Sequence, residues 1–203
     1  METAPQAPVA PAAPEAPAAP AEYSTTSTPT QTGNTLNVIG RVNFPATQLF
    51  EATGFLDMSK QFPTANAFLM FVPGIPDQSK QSGRTYDQSQ KEIMKVSIRD
   101  LYALAEALKF AAIYGNCDFT VFTDSSKFAG TAQGAGQTKQ VSVGTAIGNN
   151  GKPKIFLNYG GAKKITLALE KWHAIGLAGQ LKTLANETLA KKFENERNNF
   201  GGN

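Results

Sequence analysis

Residues 151–172 read Gly-Lys-Pro-Lys-Ile-Phe-Leu-Asn-Tyr-Gly-Gly-Ala-Lys-Lys-Ile-Thr-Leu-Ala-Leu-Glu-Lys-Trp. From Lys154 to Tyr159 the side chains alternate: Ile155, Leu157 and Tyr159 fall on one side and Lys154, Phe156 and Asn158 on the other, the period of a half-buried strand. One strand face is therefore left for a ligand. Gly160-Gly161 supplies a permissive backbone for a tight turn, and Lys163-Lys164 lead into Ile165-Thr166-Leu167. Leu169, Trp172, Ile175 and Gly176 then recur at helical spacing. The pattern predicts strand, basic hairpin and helix, the helix running from about Leu167 to about Phe193 with an interruption near Gly176 or Gly179. Trp172 is expected on the helix face that covers the sheet.

Upstream of this stretch, Lys139 to Ile147 has strand spacing with Val141 and Val143 inward, and Asn149-Asn150-Gly151 is the turn that joins it to Lys154. Phe119 to Thr123 reads as another strand, followed by a glycine-rich loop over Ala129 to Gln137. Before them, Ser97-Ile98-Arg99-Asp100 can cap a helix that buries Leu101, Leu104, Ala105, Leu108 and Ala112 and ends near Gly115. Lys91 to Val96 is a short strand and Ala67 to Val72 a longer, wholly apolar one. Pro73 to Gln90 between them is a polar hairpin loop carrying Lys80, Arg84 and Tyr86. Leu36 to Phe44 alternates as a strand from which Arg41 projects, and Pro45 to Pro63 reads as an irregular connection with a short helical turn. Lys95-Val96-Ser97-Ile98 echoes Lys164-Ile165-Thr166-Leu167, each ahead of a helix. The expected architecture is α+β: antiparallel sheets with two helices, in the order strands, helix, strands, helix.

Residues 1–35 are rich in Ala and Pro, then in Ser and Thr, with almost nothing to bury, and are expected to be a disordered arm. Residues 36–197 form the expected single domain, and residues 198–203 are expected to fray. Of the 203 residues, 19 are Lys or Arg and 16 Asp or Glu, a formal charge of +3. Residues 1–35 contribute Glu2, Glu15 and Glu22 and no cation, which leaves 19 basic against 13 acidic side chains, +6, on the rest. That balance suits a polyanionic partner. The single Cys117 excludes an internal disulfide framework and a cysteine-rich zinc cluster, and points to a reducing compartment. No basic leader or membrane-length apolar run is present, so a soluble, unexported protein is expected, in the cytoplasm or at the nucleoid.

Catalytic patterns are lacking. The one histidine, His173, has no nucleophile that spacing would pair with it, and the acids are scattered without a metal-ligand spacing. Gly148-Asn149-Asn150-Gly151-Lys152-Pro153 fails the phosphate-loop pattern at the first glycine and at the hydroxyl position. No enzyme, no cofactor and no metal is expected. Binding fits better, because single-stranded nucleic acid is held by cations that follow its backbone and aromatic faces on which bases stack. Lys152, Lys154 and Phe156 share a strand face, Tyr159 ends that strand, Lys163 and Lys164 flank the turn, and Lys139 lies on the neighbouring strand. Arg41, Arg84 and Tyr86 complete the candidate binding set.

The segment Lys163-x-Ile165-Thr166-Leu167-x-x-Glu170-x-Trp172 resembles the Lys-x-Ile-Ser-Leu-x-x-Glu-x-Trp segment of the transcriptional positive cofactor four family. That family and the related Whirly proteins bind single-stranded DNA on curved antiparallel sheets. Asn158 stands where the cofactor family presents an arginine, and the Whirly lysine-glycine-lysine strand motif is absent. The resemblance implies a largely sequence-independent single-stranded DNA-binding protein acting in replication, recombination or transcription. An RNA-binding protein on the same fold and a non-catalytic oligomeric interaction protein are the alternatives. The leucines Leu177, Leu181, Leu184 and Leu189 extend the apolar stripe of the last helix, so a dimer or tetramer is expected.

Overall fold

The computed structural model describes residues 36–59, 62–80, 83–115, 117–124, 138–148 and 151–200. The expected arm, the glycine-rich loop and the last three residues lie outside them. Strands β1 (Leu36–Pro45), β2 (Leu49–Asp57), β3 (Thr64–Val72) and β6 (Glu92–Ser97) make a four-stranded antiparallel sheet in the order β1-β2-β3-β6. The small hairpin of β4 (Gly74–Pro76) and β5 (Arg84–Tyr86) grows from its end, and helix α1 (Ile98–Tyr114) follows. The second half repeats the plan. Strands β7 (Asp118–Asp124), β8 (Lys139–Ile147), β9 (Pro153–Gly160) and β10 (Lys164–Leu169) form a sheet in the order β10-β9-β8-β7, followed by helix α2 (Lys171–Phe200). The α+β arrangement of two antiparallel sheets and two helices, in the expected element order, is the fold.

Local chemistry sets the ends of α1. Ser97 accepts a hydrogen bond from the Asp100 N–H, and Asp100 accepts one from the Ser97 N–H, a reciprocal cap of the kind worth about 1 kcal/mol. At the other end Gly115 adopts a left-handed φ of 70° and its N–H returns to the Ala111 carbonyl. Each helix packs on the sheet of the other half: α2 lies against β1 and β2, and α1 against β7 and β8, while the two helices also pack on each other. Gly54 permits the first of these contacts, since a Cβ there would come within 2.3 Å of the Thr188 hydroxyl and 3.0 Å of Leu184. One continuous core results, joining Phe50, Leu69 and Phe71 to Leu104, Leu108, Leu157, Leu167 and Leu181.

Four sequence expectations are corrected here. Residues 45–63 contain the full central strand β2, which alternation could not reveal because Leu49–Leu56 is buried on both faces almost throughout. Residues 164–169 are strand β10, with Ile165, Leu167 and Leu169 inward and Lys164, Thr166 and Ala168 outward, so the last helix begins at Lys171 and not at Leu167. That helix runs unbroken past Gly176 and Gly179, both on its exposed side, with the Lys191–Glu194 and Lys192–Glu196 ion pairs along its last turns. Leu177, Leu181 and Leu184 are fully buried inside the chain, and Leu189 packs against the same core, so these leucines do not supply a subunit interface.

Candidate nucleic-acid interface

Directly paired residues of antiparallel strands share a face, so register alone assembles the outward side of the second sheet. Asp118, Gly144, Phe156 and Ala168 form one cross-strand row; Thr120, Ser142, Asn158 and Thr166 form the next; Gln140, Gly160 and Lys164 form the third. None of these residues is buried, whereas Val141, Val143, Ile155, Leu157, Ile165 and Leu167 beneath them are. The alternation expected for Lys154 to Tyr159 is the one observed. Phe156 is half-buried, with only a glycine and an alanine as its cross-strand neighbours. Lys154, opposite Ala146, starts the strand, and Lys164, opposite Gly160, stands at its far end. Six residues of strand separate those ends, on the order of 20 Å. Between them the Thr166 hydroxyl donates to Asn158 Oδ1 at 2.9 Å, and Gln140 Nε2 donates to Thr120 Oγ1 at 3.0 Å. The surface is a polar, open platform with one aromatic ring and a lysine at either end.

Other members of the expected set lie elsewhere. Tyr159 is a correction: its side chain is 1% exposed, its hydroxyl donates to Glu92 at 3.0 Å, and its ring lies 5.1 Å from that of Phe71. Burial first, and then the Glu92 carboxylate, push its phenol pKa well up. No base can stack on it. Gly161, expected as a flexible turn residue, instead makes room for this tyrosine, because a Cβ there would be 2.5 Å from the Tyr159 hydroxyl. Lys163, in the turn between β9 and β10, donates to the amide oxygen of Gln90 just before β6, and Lys139 of β8 donates to the Ile93 carbonyl of β6 at 2.9 Å, so both lysines reach across to the first half of the chain. Tyr86 donates to the Ala46 carbonyl at 3.0 Å, pinning the β4–β5 hairpin that also carries Arg84 to the turn between β1 and β2. Lys152 is exposed just before β9.

Arg41 belongs to the outward side of the first sheet, in a row with Thr53, Phe68 and Lys95. There Phe55 and Phe68 stack with centroids 4.4 Å apart, Lys95 sits over the Phe55 ring at 5.4 Å, and the same amine pairs with Asp57 at 3.1 Å. The hydroxyl and N–H of Ser59, followed by Lys95, hold the Asp57 carboxyl down at about 2.

Trp172 is also corrected. It is 74% exposed, with the Lys171 amine 5.8 Å from its ring. Because α2 starts at Lys171, its buried face is set by Ala174, Leu177, Ala178, Leu181 and Ala185, and Trp172 falls nearly opposite. His173 meets the edge of Phe44 at 5.9 Å. Cys117, half-buried, has its thiol pKa raised by burial and by neighbouring Asp118. Among the described residues no group of three or more His, Cys, Asp or Glu could hold a metal ion, and no helix is long and apolar enough to cross a membrane.

No protein-family model matches this chain, and no curated protein matches it. Among solved structures it is similar to the crystal structure of WHY1 from Arabidopsis thaliana, a Whirly protein, at 11% identity over 86% of this chain and 95% of that one, with a TM-score of 0.52. The likeness is one of fold: the chain has a Whirly-like architecture.

Proposed function

We propose that this chain binds single-stranded DNA, without strong sequence preference, along the outward side of its second sheet. The observation that carries the reading is the open row in which Phe156 lies between Gly144 and Ala168, with Lys154 and Lys164 at the two ends of the strand path. An aromatic ring with small neighbours gives a base room to stack, and cations beyond it meet the phosphates on either side. The Whirly-like fold supports the same reading, as does the basic charge of residues beyond 35. The protein acts by stacking and charge, without cofactor or turnover, on exposed strands in replication, recombination or transcription, in the cytoplasm or at the nucleoid.

Anisotropy titrations of labelled single-stranded DNA, duplex DNA and RNA at matched salt test this. Tight binding to the single strand over the duplex is expected; equal binding to duplex would show a purely electrostatic surface. Preference for the RNA strand would move the substrate class to RNA.

A second reading, a homo-oligomeric interaction protein, is favoured by a different surface. Phe110, Ile113 and Tyr114 of α1 and Phe119 of β7 are exposed together, with Phe110 4.4 Å from Tyr114 and 5.4 Å from Phe119. They line a cleft of about 600 Å³. Light scattering at micromolar concentration separates a monomer from a dimer or tetramer, and Tyr114→Ser together with Ile113→Ser should shift any such assembly toward monomer.

A further inference from the structure

We infer that the notch beside Phe156 reads the edge of one base and that the base it selects is guanine. The inference rests on the strand-binding reading above. Its starting point is Gly144, which has no conformational need to be glycine: its φ is not positive, and a Cβ built there would meet only ordinary van der Waals neighbours. What the missing side chain leaves is space, open to the outward side of the sheet. Asp118 Oδ1 lies 3.8 Å from that Cβ position and Asn158 Nδ2 lies 4.0 Å from it, with no other atom as near. The ring of Phe156, directly across the strand pair, stands beside the gap and does not fill it. The Thr166 hydroxyl engages Asn158 Oδ1, which turns the amide N–H groups toward the notch.

A carboxylate acceptor and an amide donor thus border one glycine floor next to an aromatic face. A base stacked on Phe156 presents its Watson–Crick edge to both groups. Guanine matches them: its N1–H and its 2-amino group donate to the two carboxylate oxygens of Asp118, while O6 accepts from Asn158 Nδ2. Thymine and uracil carry a single N–H flanked by two carbonyl oxygens, which the carboxylate repels. Adenine and cytosine offer one amino group and a ring nitrogen, and form half of the guanine pairing. Selectivity therefore enters a platform whose other contacts are sequence-tolerant.

The test uses the full chain and three labelled strands of equal length: oligothymidylate, the same strand with interspersed deoxyguanosines, and that strand with deoxyinosine in place of each deoxyguanosine. The wild type is expected to favour the guanine strand over oligothymidylate by roughly tenfold, the scale of one good bidentate pair, and to lose much of that ratio with inosine, which lacks the 2-amino group. Asp118→Asn should bring the ratio close to one. Gly144→Val should do the same by filling the notch, and it should raise the melting temperature, since a branched residue on an exposed strand face replaces glycine. A ratio of one in the wild type, or a ratio that survives Asp118→Asn, overturns the inference while leaving strand binding in place. Failure to bind any strand overturns both readings together.

Discussion

The outward sides of the two sheets are organised in opposite ways. On the first, two phenylalanines stack on each other, Lys95 lies over one of them, and Asp57 neutralises that lysine; Thr53 donates to Glu51 in the adjacent row. The aromatic surface is consumed by its own neighbours, to the point that Phe55 is fully buried on a face that has no helix over it. On the second, Phe156 has Gly144 and Ala168 for neighbours, and neither Lys154 nor Lys164 shares a row with a carboxylate. What separates a finished surface from an available one is the size of the cross-strand neighbour and whether the cation already has a carboxylate.

That contrast can be broken most decisively on strand β9 itself, where Phe156 and Tyr159 project to opposite sides. Tyr159→Ala should cost about 3–5 kcal/mol of stability in denaturant unfolding, as for other large-to-small changes in a core. Phe156→Ala should leave stability close to wild type yet weaken single-strand binding by about 1–3 kcal/mol, with little change in its salt dependence. If Phe156→Ala unfolds the protein, the second sheet's outward side is covered and the comparison collapses. Replacing Lys154 and Lys164 with Ala should instead flatten the salt dependence, the slope falling by about 0.7 for each phosphate that is no longer neutralised.

On the first sheet the effects should be smaller and confined to stability. Phe68→Ala removes one ring of a stacked pair, worth about 0.5–1.5 kcal/mol beyond its burial, and should not alter strand affinity. A drop in affinity there would make both sheets binding surfaces. The smallest effect concerns Asp57. Its carboxyl is held at about 2 in the folded chain against an ordinary 3.8, so its contribution is fully present above 3.8 and is lost as pH falls toward 2. Asp57→Asn should therefore lower the melting temperature slightly at neutral pH and converge on wild type as pH falls toward 2, which shallows the acid side of the profile in that window. An unchanged acid limb would show that solvent screens the Lys95 and Ser59 contacts.

Several features were legible in the sequence for physical reasons. The Ser97–Asp100 cap is local, and the alternation of Lys154 to Tyr159 needs only a sheet with one wet side. Leu49 to Leu56 concealed a strand because a central strand buried on both faces has no period to read. Trp172 was misplaced because Leu169, Trp172, Ile175 and Gly176 satisfy helix spacing, and only the pairing of Ile165, Leu167 and Leu169 with β9 shows that the strand runs on to Leu169. The leucines of α2 looked surplus because the surface they cover belongs to the other half of the chain. At the candidate site, Phe156 and Lys154 were found from their own strand. Asp118 and Gly144 were not, since only the register of three strands brings them to Asn158.

The exchange of helices between the halves has a consequence for how the chain reaches its native state. The sheet begun at Leu36 is closed by leucines near position 184, so its interior stays wet until nearly all of the polypeptide is present. Contacts so far apart in sequence form late and raise the search cost, which predicts slow, concerted folding in place of one half templating the other. During synthesis the four strands of the first sheet would wait with an unclosed apolar side, and truncation before α2 should yield material that aggregates. A separately supplied α2 peptide would then act as the missing wedge, restoring order in trans to a chain that cannot finish itself.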